Sequence, residues 1–185
     1  GAYSVWRKPY GMLSQGSKWG DHCTLNRWCE KNLQPERSAF VVHRLDRAAT
    51  GLMLIAHEKR AAAALSELFR ERKVTKRYRA VVHGAPKADV LPLVLDTPID
   101  GRDALSQLER VEYDGVADRS EVLVSIHTGR KHQVRLHLAG LGHSIVGDRA
   151  YGSSDTDEDL QLEACLLQFL CPITGVQRSY QLLPS

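Results

Sequence analysis

Phe40-Val41-Val42-His43-Arg44-Leu45-Asp46-Arg47-Ala48-Ala49-Thr50-Gly51-Leu52-Met53-Leu54-Ile55-Ala56 is the stretch on which the fold turns. Phe40-Val41-Val42 begins a strand, and the run from Gly51 to Ala56 reads as a buried one. Between them, ionisable residues and a small-residue turn interrupt what would otherwise be continuous core. Local physics favours an ordinary loop in which Asp46 caps a turn and Arg44 pairs with it, because Asp, Thr and Gly are normal turn residues.

Working outward, residues 59–72 have the clearest helical pattern. Ala61, Leu65, Leu68 and Phe69 share one face, and Glu67, Arg70 and Glu71 point away. A strand over 78–84 follows, ending in a turn. Upstream, a strand from Val5 is broken by Pro9 and Gly11. A helix carrying Leu25, Trp28, Cys29 and Leu33 then starts at a Thr24 or Asp21 cap and stops before Pro35. Further strands are expected at 106–113, 121–127 and 163–169, and a short helix at 131–139 closed by Gly140 or Gly142. Strands in consecutive groups with few helices predict an α+β fold with a largely antiparallel sheet. No repeat or linker divides the chain, so 1–185 is expected to be one domain.

The composition suits this reading. In 185 residues, 43% are hydrophobic and 25% charged, which excludes an acidic disordered tail or a fibrous repeat and allows a sizeable core. No apolar run reaches membrane-spanning length and no signal-peptide core follows the first residues, so a soluble, cytoplasmic protein is expected. A net charge of +3 permits nucleic-acid binding without arguing for it; clustering is the better guide. Positive charge gathers at Lys59-Arg60, along 70–79, and at Arg130-Lys131 with Arg135, whereas acids gather at Asp155-Thr156-Asp157-Glu158-Asp159. The ordinary account of the basic run is a solvated helix end and turn. Cys23, Cys29, Cys165 and Cys171 lack zinc-ligand spacing and read as reduced thiols.

A second unusual stretch is Thr128-Gly129-Arg130-Lys131-His132-Gln133-Val134-Arg135-Leu136-His137-Leu138-Ala139. Its ordinary account is a polar helix face capped by Thr128. His132 and His137 are five apart and make a poor metal pair.

Together the two stretches resemble the RluA-type pseudouridine synthases. His43-Arg44-Leu45-Asp46 with Thr50-Gly51-Leu52, and Thr128-Gly129-Arg130 with His132-Gln133 and Arg135, look like that family's signature segments. Lys8-Pro9 with Gly11, Lys76-Arg77-Tyr78-Arg79-Ala80 with Gly84, Gly147-Asp148 with Tyr151-Gly152, and Pro172 with Thr174-Gly175 extend the match in order along the chain. Ala48, Ala49, Ser144 and Cys171 depart from the usual pattern, none at the catalytic position. The S4-like RNA-binding domain of many relatives is not in this sequence.

The resemblance implies a cleft across the sheet and an isomerase that turns uridine into pseudouridine in tRNA or ribosomal RNA. The reaction breaks a C–N glycosidic bond and rejoins the base through C5, so it needs no cofactor or metal. Asp46 is the implied catalytic carboxylate, acting as a nucleophile at C1′ or as a base at C2′. Arg135 is its implied partner, keeping it anionic through charge and a bidentate fit. Tyr78 would stack on the uracil, which contributes roughly 1–3 kcal/mol per base in single-strand binders; on strand pattern alone it reads as core. Arg44 would take the place of the extruded nucleotide, and Arg130, Lys131 and Lys76 would contact phosphates. His43, His132 and Gln133 are expected to be structural. RNA is the implied partner, with no membrane and a monomeric protein. The alternatives are an inactive RNA-binding protein with the same fold, and a hydrolase using Asp46 with His43, which lacks any supporting nucleophile elbow or phosphate loop.

Overall fold

The computed structural model describes residues 1–16, 24–87, 90–153 and 156–183. The backbone divides into two compact units, Gly1–Val74 with Leu166–Ser185, and Thr75–Cys165. Both mix helices with antiparallel strand pairs, the α+β class expected from the sequence.

In the first unit, Tyr3–Lys8 (β1) and Phe40–Val41 (β2) both pair antiparallel with Thr50–Ala56 (β3), Lys8 standing opposite Gly51. Gln177–Gln181 (β9) pairs with the end of Leu162–Leu170 (β8). Met53, Leu54, Ile55 and Ala56 are fully buried, so β3 is covered on both faces, as its unbroken apolar run requires. Lys59–Arg70 (α2) sets Ala61 and Leu65 into a core with Val42, Leu52, Leu54, Leu167 and Phe169. Burying a side chain such as Leu65 contributes roughly 1.5–3 kcal/mol.

Helix α2 ends two residues before the predicted boundary for a visible reason. Arg72 takes a left-handed φ of 59°, Lys73 N–H bonds the Leu68 carbonyl and Arg72 N–H that of Phe69, a Schellman closure without its usual glycine. Leu25–Asn32 (α1) follows Thr24, whose side chain makes no capping bond; Asp21, the other cap considered, lies outside the described residues, as do Cys23 and Asp155. Trp28 of α1 meets Trp6 of β1 edge-on, with ring centroids 5.3 Å apart.

In the second unit the strand order is β8, Thr75–His83 (β4), Arg119–Ile126 (β7), Ser106–Asp114 (β6) and Leu93–Leu95 (β5). Alternation along β4 puts Lys76, Tyr78, Ala80 and Val82 on one face and Arg77 and Arg79 on the other. Ala80 and Val82 are buried, so Lys76 and Tyr78 prolong the core face towards the start of the strand. Gln133–Gly140 (α3) packs on β6 and closes at Gly142, whose N–H bonds the Ala139 carbonyl while His143 bonds Leu138. It starts later than the predicted 131 because His132 is left-handed, with φ 56°. Cys29, Cys165 and Cys171 are buried free thiols, and burial pushes Cys29 up to about 12.

Candidate active site

The first signature lies in the first unit, on the loop between β2 and β3. His43 accepts the Leu54 N–H on Nε2 at 3.0 Å and stacks on Phe69 with ring centroids 4.2 Å apart. It therefore ties the loop to β3 and α2. Asp46 is half-buried, and its carbonyl accepts the Ala49 N–H at 3.1 Å, tightening the turn. Arg44 is exposed.

The opening segment clasps this loop on both sides of Asp46. Buried Ser14 donates to the Leu45 carbonyl at 3.0 Å and accepts the Leu45 N–H at 3.1 Å. The Arg47 carbonyl accepts from Gly11 N–H and from Lys8 Nζ, each at 3.1 Å, and Arg47 Nε donates to the Gly11 carbonyl. Lys8, fully buried, also donates to the carbonyls of Pro9 and Met12. Burial lowers its ammonium to about 8, opposed by attraction to the Asp46 carboxylate. The match of Lys8-Pro9 with Gly11 pointed to these residues without revealing what they hold.

The second signature lies in the second unit. Gln133, nearly inaccessible, is bonded throughout: Oε1 accepts from Thr128 Oγ1 and Arg130 N–H, and Nε2 donates to Leu105 O and Ser106 Oγ. His137 joins the same network through Ser106 and Thr97. These are structural bonds, and they fix the Thr128-Gly129-Arg130 turn. A Cβ on Gly129 would lie 3.8 Å from Lys76 Nζ, so the turn and the start of β4 are close neighbours. Arg130 donates Nε–H to the Asp103 carbonyl at 2.8 Å, and Lys131 is exposed.

Arg135 projects from α3 and grips Asp148 with Nε and Nη2, at 2.8 and 2.7 Å. Asp148 Oδ1 also accepts the N–H groups of Ala150 and Tyr151, at 3.0 and 3.1 Å. Burial pushes the Asp148 carboxyl up, but these bonds outweigh it and hold it below its usual value. The Tyr151 ring lies 5.0 Å from the guanidinium carbon, and its hydroxyl bonds His132 Nδ1 at 2.8 Å. The family resemblance covers Gly147-Asp148 and Tyr151 but implies no role for them. The available signal was a carboxylate close to the apolar Ile145-Val146.

The basic run is largely matched internally. Lys73 pairs with Glu71, Arg77 with Glu109, and Arg79 with Glu163 and, at longer range, Glu121. A one-residue register shift between Leu108 and Arg110 occurs where β6 places Glu109. A solvated helix end and turn describes Arg70 to Lys73, whereas Arg77 and Arg79 stand on β4, where Arg79 and Glu163 are largely buried. Asp46 thus belongs to the first unit, and Arg135, Tyr78, Lys76, Arg130 and Lys131 to the second.

A model of the RNA pseudouridylate synthase family matches residues 2–140. The chain belongs to that family and is an isomerase that converts uridine to pseudouridine in RNA. Its relatives are of the RluA type that the two signatures suggested. It is 36% identical to the dual-specificity RNA pseudouridine synthase RluA of Vibrio vulnificus, over 93% of this chain and 76% of that protein. With RluA of Escherichia coli K12 the identity is 35%, over 82% and 74%. The human RNA pseudouridylate synthase domain containing 1 shares the fold, with a TM-score of 0.75 at 23% identity over 99% of this chain and 87% of that one.

Proposed function

We propose that Asp46 opens the glycosidic bond of the target uridine, with Arg135 as its cationic partner and Tyr78 stacked on the uracil. The observation that carries this reading is the clasp on the Asp46 loop. Leu45 and Arg47 are bonded through their backbones to Ser14, Gly11 and Lys8, which suits a half-buried carboxylate that must meet a sugar in one geometry. Asp46 attacks C1′ or takes the C2′ proton; either way the uracil leaves with the bonding electrons. It then turns and bonds C1′ through C5, breaking the Asp46–C1′ ester in the first route or with Asp46 returning the proton to C2′ in the second, and C5 loses its proton as N1 gains one. The balance needs no cofactor.

Exposed Arg44 fills the space of the extruded uridine, and Arg130, Lys131 and Lys76 contact phosphates around it. The substrate class is tRNA or ribosomal RNA, supported by relatives named dual-specificity RluA and, in Blochmanniella floridana, ribosomal large subunit pseudouridine synthase D. The two units act as one catalytic domain, in a monomer working in the cytoplasm. The test is Asp46→Asn on bulk tRNA and ribosomal RNA. Pseudouridine formation is lost while the fold and RNA affinity persist; near-normal turnover would overturn the assignment.

A further inference from the structure

We propose that Asp148 and Tyr151 are positioning residues for Arg135, holding its guanidinium in one orientation throughout turnover. The proposal rests on the reading of Arg135 as the partner of Asp46, and four observations support it. Asp148 takes the Nε–Nη2 edge, so by the planar geometry of the group its Nη1-bearing edge faces away from Asp148. The carboxylate is itself immobilised by the N–H groups of Ala150 and Tyr151. The guanidinium carbon lies over the Tyr151 ring, 5.0 Å from its centroid, and this cation–π contact opposes displacement of the group. His132, left-handed at the entry to α3, fixes that ring through its hydroxyl and an edge-on contact with centroids 5.6 Å apart.

The backbone around Asp148 is shaped to deliver it. Ile145 and Val146 run beside β4, with a bridge from Ile145 to Val82 and a bond from Val146 N–H to the Val81 carbonyl. Gly147 then turns at φ 78°, so close to Asp159 that a Cβ would sit 2.2 Å from its carbonyl oxygen. A buried ion pair of this kind rarely stabilises a fold more than apolar residues of the same volume would. What it adds is a fixed direction for a charge.

The experiment uses an in vitro transcribed RNA containing a uridine that the wild-type protein converts. Single-turnover rates at saturating protein and dissociation constants are measured for Tyr151→Leu, Asp148→Asn, Asp148→Glu and Asp46→Asn. Tyr151→Leu is the main variant, because Tyr151 is only partly buried and its loss leaves the ion pair available. The rate falls by about tenfold to 100-fold with affinity kept within about twofold. Asp148→Asn falls further, and Asp148→Glu, which restores the charge, recovers part of the loss. A wild-type rate for folded Tyr151→Leu overturns the proposal, and so does weaker binding at an unchanged rate, which would make Tyr151 an RNA contact. If Asp46→Asn is inactive in those cases, the proposed function stands and only this inference fails. An active Asp46→Asn sinks the reading on which it rests.

Discussion

The buried ammonium of Lys8 donates to the carbonyl of Arg47 across 3.1 Å, so the opening strand fastens the residue next to Asp46. The burial of that ammonium sets a pH dependence. Folding lowers Lys8 from 10.5 to about 8, so the folded state binds fewer protons than the unfolded one between those values. Stability therefore rises with pH across that window. Denaturant titrations of wild type and Lys8→Met at pH 7.5 and 10 should show wild type gaining up to about 3 kcal/mol relative to the variant. A parallel response of the two proteins would mean that Lys8 is not the titrating group.

Arg130 and Arg77 should separate in a salt series. Arg130→Ala is expected to weaken RNA binding, lower the slope of log affinity against log salt by about one, and spare the rate at saturation. Arg77→Ala should change neither affinity nor slope, because Glu109 already takes its charge at 2.7 Å. Equal effects from the two substitutions would put the β4 arginines among the phosphate contacts.

The Arg135–Asp148 pair should fail in acid. The Asp148 carboxyl is held below its usual value in the fold, so the pair contributes fully above the ordinary carboxyl pKa and is lost as pH falls through the depressed one. Thermal unfolding between pH 5 and pH 2 should therefore cost wild type more stability than it costs Asp148→Asn. Identical acid limbs for the two would count against the pair.

Gly147→Ala should be among the most damaging small substitutions in the chain. Its Cβ would overlap the Asp159 carbonyl, and φ 78° already disfavours any side chain. A loss of about 2 kcal/mol or more is expected in equilibrium unfolding. Gly142, also left-handed but with open space around it, should lose less on the same change.

Periodicity made the long elements legible. The unbroken apolar run of β3 and the helical spacing of Ala61, Leu65 and Phe69 both survive in the structure, because burial alone dictates them. Helix ends were less legible. Arg72 and His132 adopt left-handed backbone that no propensity assigns to them, and each moved a boundary by about two residues. Strand β9 carries no local signature, because Gln177–Gln181 is polar and half-exposed, and its structure comes from pairing with β8. Motif order identified the two signatures, but Asp148 and the carboxylates facing Arg77 and Arg79 come from distant strands and turns. Nothing local announces such partners.

The edge-on meeting of Trp6 and Trp28 gives the first unit an optical reporter. Two indoles this close couple their electronic transitions, so near-ultraviolet circular dichroism carries a band from the place where α1 rests on β1. Trp6 stands two positions before Lys8 on the same strand face, and Trp28→Phe would isolate its contribution from that of Trp19. The seating of α1 on the strand that carries Lys8 can thus be followed by light in the free protein, with no label attached to the chain.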